Sequence, residues 1–210
     1  MSKLVLSADQ IYVLAYIMKA NYLDYYYISL ANQNFDNKVW FNETTNQLVS
    51  KGVLIEDFSG NISIDPENEK LLKPIFFGTK ESSLVISIFG DEEDNIGYRL
   101  HFSDGRIILT KEIEGGFEIS AVTNEEIKEY VSTILNDSYS AISAKNDKEL
   151  DINKVSRVFI VKNAEVKVKN FTKTMVESDG IVYEEDTENN TYSLSKTDFE
   201  DKVLRILTEV

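Results

Sequence analysis

The sequence predicts an α+β fold in which a central antiparallel sheet is flanked by helices. Three observations carry that reading. Helices near both ends open on capping signals and continue with apolar residues at helical spacing. The middle of the chain changes to short strand-like runs broken by turn residues. A hairpin followed by a capped helix then occurs twice, once early and once late.

Ser7-Ala8-Asp9-Gln10 is a capping-box arrangement, in which Ser7 accepts from a first-turn N–H while Gln10 reaches back to the cap. Ile11, Leu14, Ala15 and Met18 follow at i, i+3, i+4 and i+7, which is one face of a helix. A tyrosine-rich stretch, Tyr22 to Tyr27, comes next. The pattern predicts a second helix from about Asn42 to Lys51, stopped by Gly52 at its C′ position. Val53-Leu54-Ile55 and Ile62-Ser63-Ile64 flank Ser59-Gly60-Asn61 and read as a β-hairpin. Asp65-Pro66 then supplies an N-cap and an N1 proline for a short helix through Leu71 and Leu72.

Leu84–Phe89, Tyr98–Phe102, Ile107–Ile113 and Phe117–Val122 are separated by Gly90-Asp91, Ser103-Asp104-Gly105 and Glu114-Gly115-Gly116. Hairpin connections between consecutive runs imply an antiparallel meander, and Asp104-Gly105 is a strong short-hairpin signal. Thr123-Asn124-Glu125-Glu126 is a second capping box, leading into Ile127, Tyr130, Val131, Ile134 and Leu135. Asn136 to Lys148 is polar and reads as a loop. Residues 152–168 are open between strand, favoured by their β-branched content, and a helix at Ile152, Val155 and Phe159. A helix or turn ending at Gly180, a hairpin around Glu188-Asn189-Asn190 and a helix capped at Ser195 complete the chain.

That ending echoes the beginning. Asn42 and Thr44 stand before Gly52 in the register of Asn170 and Thr172 before Gly180. Val53-Leu54-Ile55-Glu56-Asp57 and Ile181-Val182-Tyr183-Glu184-Glu185 then follow the two glycines. Either two diverged copies of one unit form a pseudo-symmetric domain, or common grammar recurs by chance. The organisation expected is one α+β domain over 1–210, with pseudo-repeat halves of roughly 1–80 and 150–210 around a meander and helix at 84–135.

Composition excludes several classes of function. The net charge of −14 disfavours phosphate backbones. The absence of cysteine removes disulfides, thiolate metal sites and thiol nucleophiles, and His101 is the one histidine. No secretory leader and no span of about 20 apolar residues is present, so a cytoplasmic protein without membrane insertion is expected. Helix, helix, hairpin is also winged-helix grammar, but the hairpins carry Glu56, Asp57, Glu184, Glu185, Asp186 and Glu188 where DNA binding needs cations. No carboxylate pair has a catalytic context, so no enzyme activity, cofactor or metal is expected.

Two features remain open between structure and binding. Asp91-Glu92-Glu93-Asp94 lacks the spacing of a calcium loop and is either a solvated turn or an acidic loop shown to a protein partner. The tyrosines at 22, 25, 26 and 27 either cover the core or line an interface.

The order of these elements resembles a known family. The opening helix Ser7–Ile17, the stretch Leu48-Val49-Ser50-Lys51-Gly52-Val53, and the hairpin Gly60-Asn61-Ile62-Ser63-Ile64-Asp65-Pro66 lead to Leu71-Leu72, a meander and the helix Glu125–Leu135. This is similar to the EspG-type proteins of type VII secretion loci, cytoplasmic chaperones of secreted partner proteins. The resemblance is one of pattern over residues 1–135, with the C-terminal third matching as the second repeat. The Lys, Asn and Ile usage departs from the alanine- and arginine-rich mycobacterial members.

The resemblance implies a non-catalytic chaperone or adaptor that holds a helical secretion substrate and covers its sticky tip before export. Family members use a loop between early sheet strands and the C-terminal helical region. The matching positions are Gly90–Asn95, with Asp91, Glu92, Glu93 and Asp94, and Ser195–Val210, with Phe199, Val203, Ile206 and Leu207. The competing expectation is a regulatory module of winged-helix-like halves that binds a protein or small ligand.

Overall fold

In a computed structural model of the chain, the described residues are 3–20, 22–32, 37–89, 94–138, 149–165, 171–185 and 190–208; side chains are described at all of these but 94–95, 134–138 and 165. The elements are β1 (Lys3–Leu6), α1 (Ala8–Ile17), α2 (Tyr25–Leu30), α3 (Lys38–Ser50), β2 (Leu54–Glu56), β3 (Ile62–Ile64) and α4 (Pro66–Phe77). They continue with β4 (Lys80–Ile88), β5 (Asp94–Ser103), β6 (Arg106–Ile113), β7 (Gly116–Val122) and α5 (Asn124–Ser138). A 3₁₀ turn at Ile152–Lys154 leads to β8 (Val155–Glu165), β9 (Phe171–Ser178), β10 (Ile181–Glu185), β11 (Thr191–Leu194) and α6 (Lys196–Thr208). Strands hydrogen-bond in the order β1-β7-β6-β5-β4-β8-β9-β10-β11, and β2-β3 stand as a separate two-stranded sheet. A large antiparallel sheet with helices is therefore the fold, of α+β class. The chain forms two compact units, Met1–Thr79 with His101–Ala121 and Lys80–Leu100 with Val122–Val210.

In the first unit, α1 starts where its capping box places it. Gln10 N–H donates to Ser7 Oγ at 3.2 Å and Ser7 N–H donates to Gln10 Oε1 at 3.1 Å. Gln10 is buried, and its side chain also bonds Gln47 of α3 at 3.2 Å, so one residue both caps α1 and ties it to α3. Ile11, Val13, Leu14 and Ala15 face the core. The tyrosine-rich stretch forms α2, capped by Asp24, whose Oδ1 accepts Tyr26 N–H at 2.7 Å. Helix α3 begins at Lys38, four residues before the expected start, because Asn37 caps it by accepting from Val39 N–H. The chain leaves α3 through Gly52 at φ 70° and enters the β2–β3 hairpin as expected. Asp65 caps α4 with Pro66 in its first turn, and the helix runs on past Leu72 to Phe77 with Pro74 inside it. The gain is apolar area: Leu71, Leu72, Ile75 and Phe76 are all buried. At the β5–β6 turn Asp104 and Gly105 both take positive φ, the conformation that makes Asp-Gly a hairpin dipeptide.

Strand β1 pairs antiparallel with β7, Leu6 opposite Phe117. The backbones approach closely at Gly116, where an added Cβ would lie 2.4 Å from the Leu6 carbonyl oxygen. Gly116→Ala is therefore expected to destabilise the fold by about 1–3 kcal/mol, with amide exchange accelerated at Lys3–Leu6. Unchanged protection there would show that β1 does not depend on this approach.

In the second unit, β4, β8, β9 and β10 carry the sheet face on which α6 packs. Leu84 and Ile86 stand opposite Val161 and Phe159, and Phe159 stands opposite Met175. Phe199, Val203, Ile206 and Leu207 of α6 are buried in this unit. The Phe159 and Phe199 rings meet edge to face with centroids 4.9 Å apart. Two carbonyls at the C-terminal end of α6, which have no partner within a helix, are satisfied by side chains of the sheet. Ser82 Oγ donates to Leu207 O and Asn163 Nδ2 to Ile206 O, each at 2.8 Å. The Thr123–Glu126 capping box of α5 and the Ser195 cap of α6 are both made.

Two expectations about this region are resolved. Residues 155–165 are strand, the alternative their β-branched content favoured. The segment before Gly180 is strand β9 rather than a helix or turn, because it pairs with both β8 and β10. After Gly52 and Gly180 alike come a hairpin and a capped helix, but α3 precedes the first glycine and β9 the second.

Candidate partner-binding surfaces

Asp91, Glu92 and Glu93 lie outside the described residues; Asp94 opens β5, and its side chain is likewise outside them. Asp186, Glu188 and Asn189, expected in the late hairpin, lie outside them as well. The α6 candidates are corrected. Phe199, Val203, Ile206 and Leu207 are turned inward, because the apolar stripe of an amphipathic helix is what binds it to the sheet. What α6 offers outward is polar: Asp198, Asp201, Lys202 and Arg205, which with Leu194 of β11 line a shallow recess of about 250 Å³.

Lys202 of that recess also belongs to an ion cluster around a buried carboxylate. Glu184 of β10, only 2% exposed, accepts from Lys173 of β9 and from Lys202 of α6. Lys202 Nζ also lies 5.8 Å from the centroid of the Tyr192 ring. Burial alone would raise the Glu184 pKa, but the hydrogen bonds and charges of the two lysines outweigh it and hold the carboxyl below its ordinary value. Glu177 differs. Burial dominates there and raises its pKa, although Arg157 stands 3.3 Å away and opposes the shift. The cluster ties a helix to two strands.

In the first unit, a recess of about 410 Å³ has Ser7, Asp9, Asn32, Glu112 and Phe117 among its walls. Its carboxylates are occupied. Asp9 accepts from Asn32 N–H at 2.6 Å and from Trp40 Nε1–H at 3.1 Å, while Glu112 accepts from the Tyr26 hydroxyl. Within the tyrosine cluster, burial separates one ring from two others. Tyr27 is core, against Phe117 at 5.1 Å and bonded through its hydroxyl to His101 Nε2 at 3.0 Å, whereas Tyr22 and Tyr25 are exposed. His101 is buried, and its imidazole serves this contact.

Sequence reasoning passed over Phe58, which the β2–β3 turn holds fully in solvent. The signal was a large apolar residue in a turn whose other positions, Asp57, Ser59, Gly60 and Asn61, are the usual polar and flexible ones. Among the described residues, no three or more His, Asp or Glu side chains form a group able to hold a metal ion. No helix among them is long and apolar enough to cross a membrane.

No family model matches the chain, and no curated protein does. The fold is nevertheless similar to a solved one: the structure of the Mycobacterium tuberculosis type VII secretion system chaperone EspG5 in complex with a PE25–PPE41 dimer. The superposition covers 98% of this chain and 97% of the other, with a TM-score of 0.63 and 8% sequence identity. At that identity the likeness is one of fold.

Proposed function

We propose that this chain is a non-catalytic chaperone or adaptor that works in the cytoplasm and binds a helical protein substrate of a type VII secretion system before export. The observation that carries the reading is the shared fold, which runs over nearly the whole length of both chains. One solved protein of similar fold is a type VII secretion chaperone, in complex with a protein dimer. The charge of this chain points the same way, since −14 favours a protein partner over nucleic acid.

The partner contacts proposed are the acidic run Asp91–Asp94 and the outward face of α6, with Asp198, Asp201, Lys202 and Arg205. Charged surfaces of this kind steer association and set specificity. The test is co-expression with small helical secreted proteins encoded near the gene, followed by size-exclusion chromatography with light scattering. A stoichiometric complex with one of them is expected. Reversing the run at Asp91, Glu92, Glu93 and Asp94 to lysine is expected to slow association about tenfold or more at low salt. A stoichiometric complex with duplex DNA, or no complex with any such protein, overturns the reading.

A further inference from the structure

We propose that the β2–β3 hairpin is a docking finger whose tip, Phe58, enters an apolar pocket rimmed by basic side chains on a protein partner. The inference rests on the partner-binding reading above and adds an element to it that neither the acidic run nor α6 supplies.

The tip is rigid. Asp57 Oδ1 accepts the backbone N–H of Ser59 at 2.8 Å and of Asn61 at 2.9 Å, and Oδ2 accepts Asn61 Nδ2–H at 2.9 Å. Backbone bonds from Asp57 N–H to Asn61 O and from Gly60 N–H to Asp57 O close the same loop at 3.0 and 2.9 Å. Gly60 takes φ 79°, which completes the turn without strain. The base is equally fixed: Val53 and Leu54 are in the core, and Asp65 N–H donates to Val53 O at 3.0 Å. Backbone braced in this way has little freedom left to lose on binding, and the phenylalanine ring adds only two side-chain torsions to be ordered.

The finger is also apolar where a turn is ordinarily polar. Phe58 is fully exposed at 113%, and Ile55 and Ile62 on the shaft are 46% and 42% exposed. No folding requirement keeps these side chains apolar, since none is needed to fill the core of the unit. The charge of the finger selects the occupant. Residues 53–65 contain Glu56, Asp57 and Asp65 and no cation. An anionic lipid surface or a nucleic acid would be repelled, as would a second copy of this chain with its net charge of −14. A pocket apolar within and basic at its rim satisfies both the ring and the carboxylates beside it. The hydrogen bonds that brace Asp57, those from Asn61 foremost, hold its pKa below the ordinary value.

Phe58→Asp offers a clean test, because the ring touches nothing that the fold requires and the unfolding midpoint should not move. The full-length chain and this variant are titrated against the secreted protein that copurifies with the wild type. The dissociation constant is expected to rise about thirtyfold or more, the range of an anchor residue. Glu56→Lys is expected to slow association several-fold and to flatten its salt dependence. In parallel, p-benzoylphenylalanine in place of Phe58 is crosslinked in cells, and the crosslink is expected on an apolar surface of the partner flanked by Lys or Arg. An unchanged dissociation constant for Phe58→Asp overturns the finger while leaving the chaperone reading intact. Crosslinks from position 58 to a protein that is not secreted overturn the chaperone reading and leave the finger. No crosslink at 58, a crosslink only to a second copy, or binding to phosphatidylcholine–phosphatidylglycerol vesicles overturns the finger.

Discussion

Phe199→Ala is expected to lower the stability of the chain by about 3–5 kcal/mol. The ring is fully buried in the first turn of α6 and meets Phe159 edge to face, so its loss removes apolar burial and an aromatic pair together. The cavity left behind has limited means of collapse. Helix α6 is held at its far end by Ser82 and Asn163, and those bonds oppose any shift of the helix toward the sheet. A domain with a typical 5–15 kcal/mol of stability would lose a large fraction of it. Urea denaturation with hydrogen exchange on the β8 amides measures the loss, and Phe199→Leu should recover most of it. A loss below about 1 kcal/mol would mean that α6 is not packed as described.

Glu184→Ala is expected to cost about 1.5–3 kcal/mol, by a different route: the buried carboxylate is lost while the lysines it paired with keep some contact with water. Removing the carboxylate leaves the ammonium groups of Lys173 and Lys202, both half-buried, without the partner they share. Replacing all three residues by apolar ones of similar volume should instead be close to neutral, because the desolvation of the ions goes with them. The pH profile carries a second signature. The folded pKa of Glu184 is held below its ordinary value of 4.5, so its contribution is fully present above that value and is lost as pH falls through the folded pKa. Glu177 has the opposite sign. Its folded pKa is raised above 4.5, so its contribution is present in acid and is lost as pH rises through the raised value. Glu184→Gln should therefore flatten the acid limb of the stability profile, and Glu177→Gln should raise stability near neutral pH. Profiles unaltered in both variants would remove the buried charges from the account.

Where the chain announced its elements, it did so through local chemistry. Ser7 with Gln10, Thr123 with Glu126, and Asp65 with Pro66 mark helix starts because they satisfy first-turn N–H groups with residues three or fewer positions away. Asp104-Gly105 marks a hairpin because both residues tolerate positive φ. Elements stabilised by distant partners were not legible. Tyr25–Leu30 is poor in strong helix formers, and its helix is held by Tyr27 sinking against Phe117 and His101. Strand β9 hid its alternation because Lys173 and Glu177, two charged residues, share with Met175 the face toward α6, a pattern rational only once Glu184 and Arg157 are seen beside them. The α6 residues were legible as an apolar face, but an apolar stripe reads the same whether its own sheet or a partner covers it. Phe58 was visible as a letter and silent as a site, since exposure is a property of the turn and not of the residue.

The way the chain is threaded has a consequence for its synthesis. The first unit is not contiguous: residues 1–79 are completed only by 101–121, and the stretch between belongs to the other unit. Strand β1, made first, pairs with β7, Lys3 opposite Ser120. At roughly 5–20 residues per second, a ribosome leaves β1 waiting on the order of 6–23 seconds for its partner strand. No single cleavage of the gene can then release either unit whole, and a nascent chain halted before residue 117 carries an unmatched strand at its leading end.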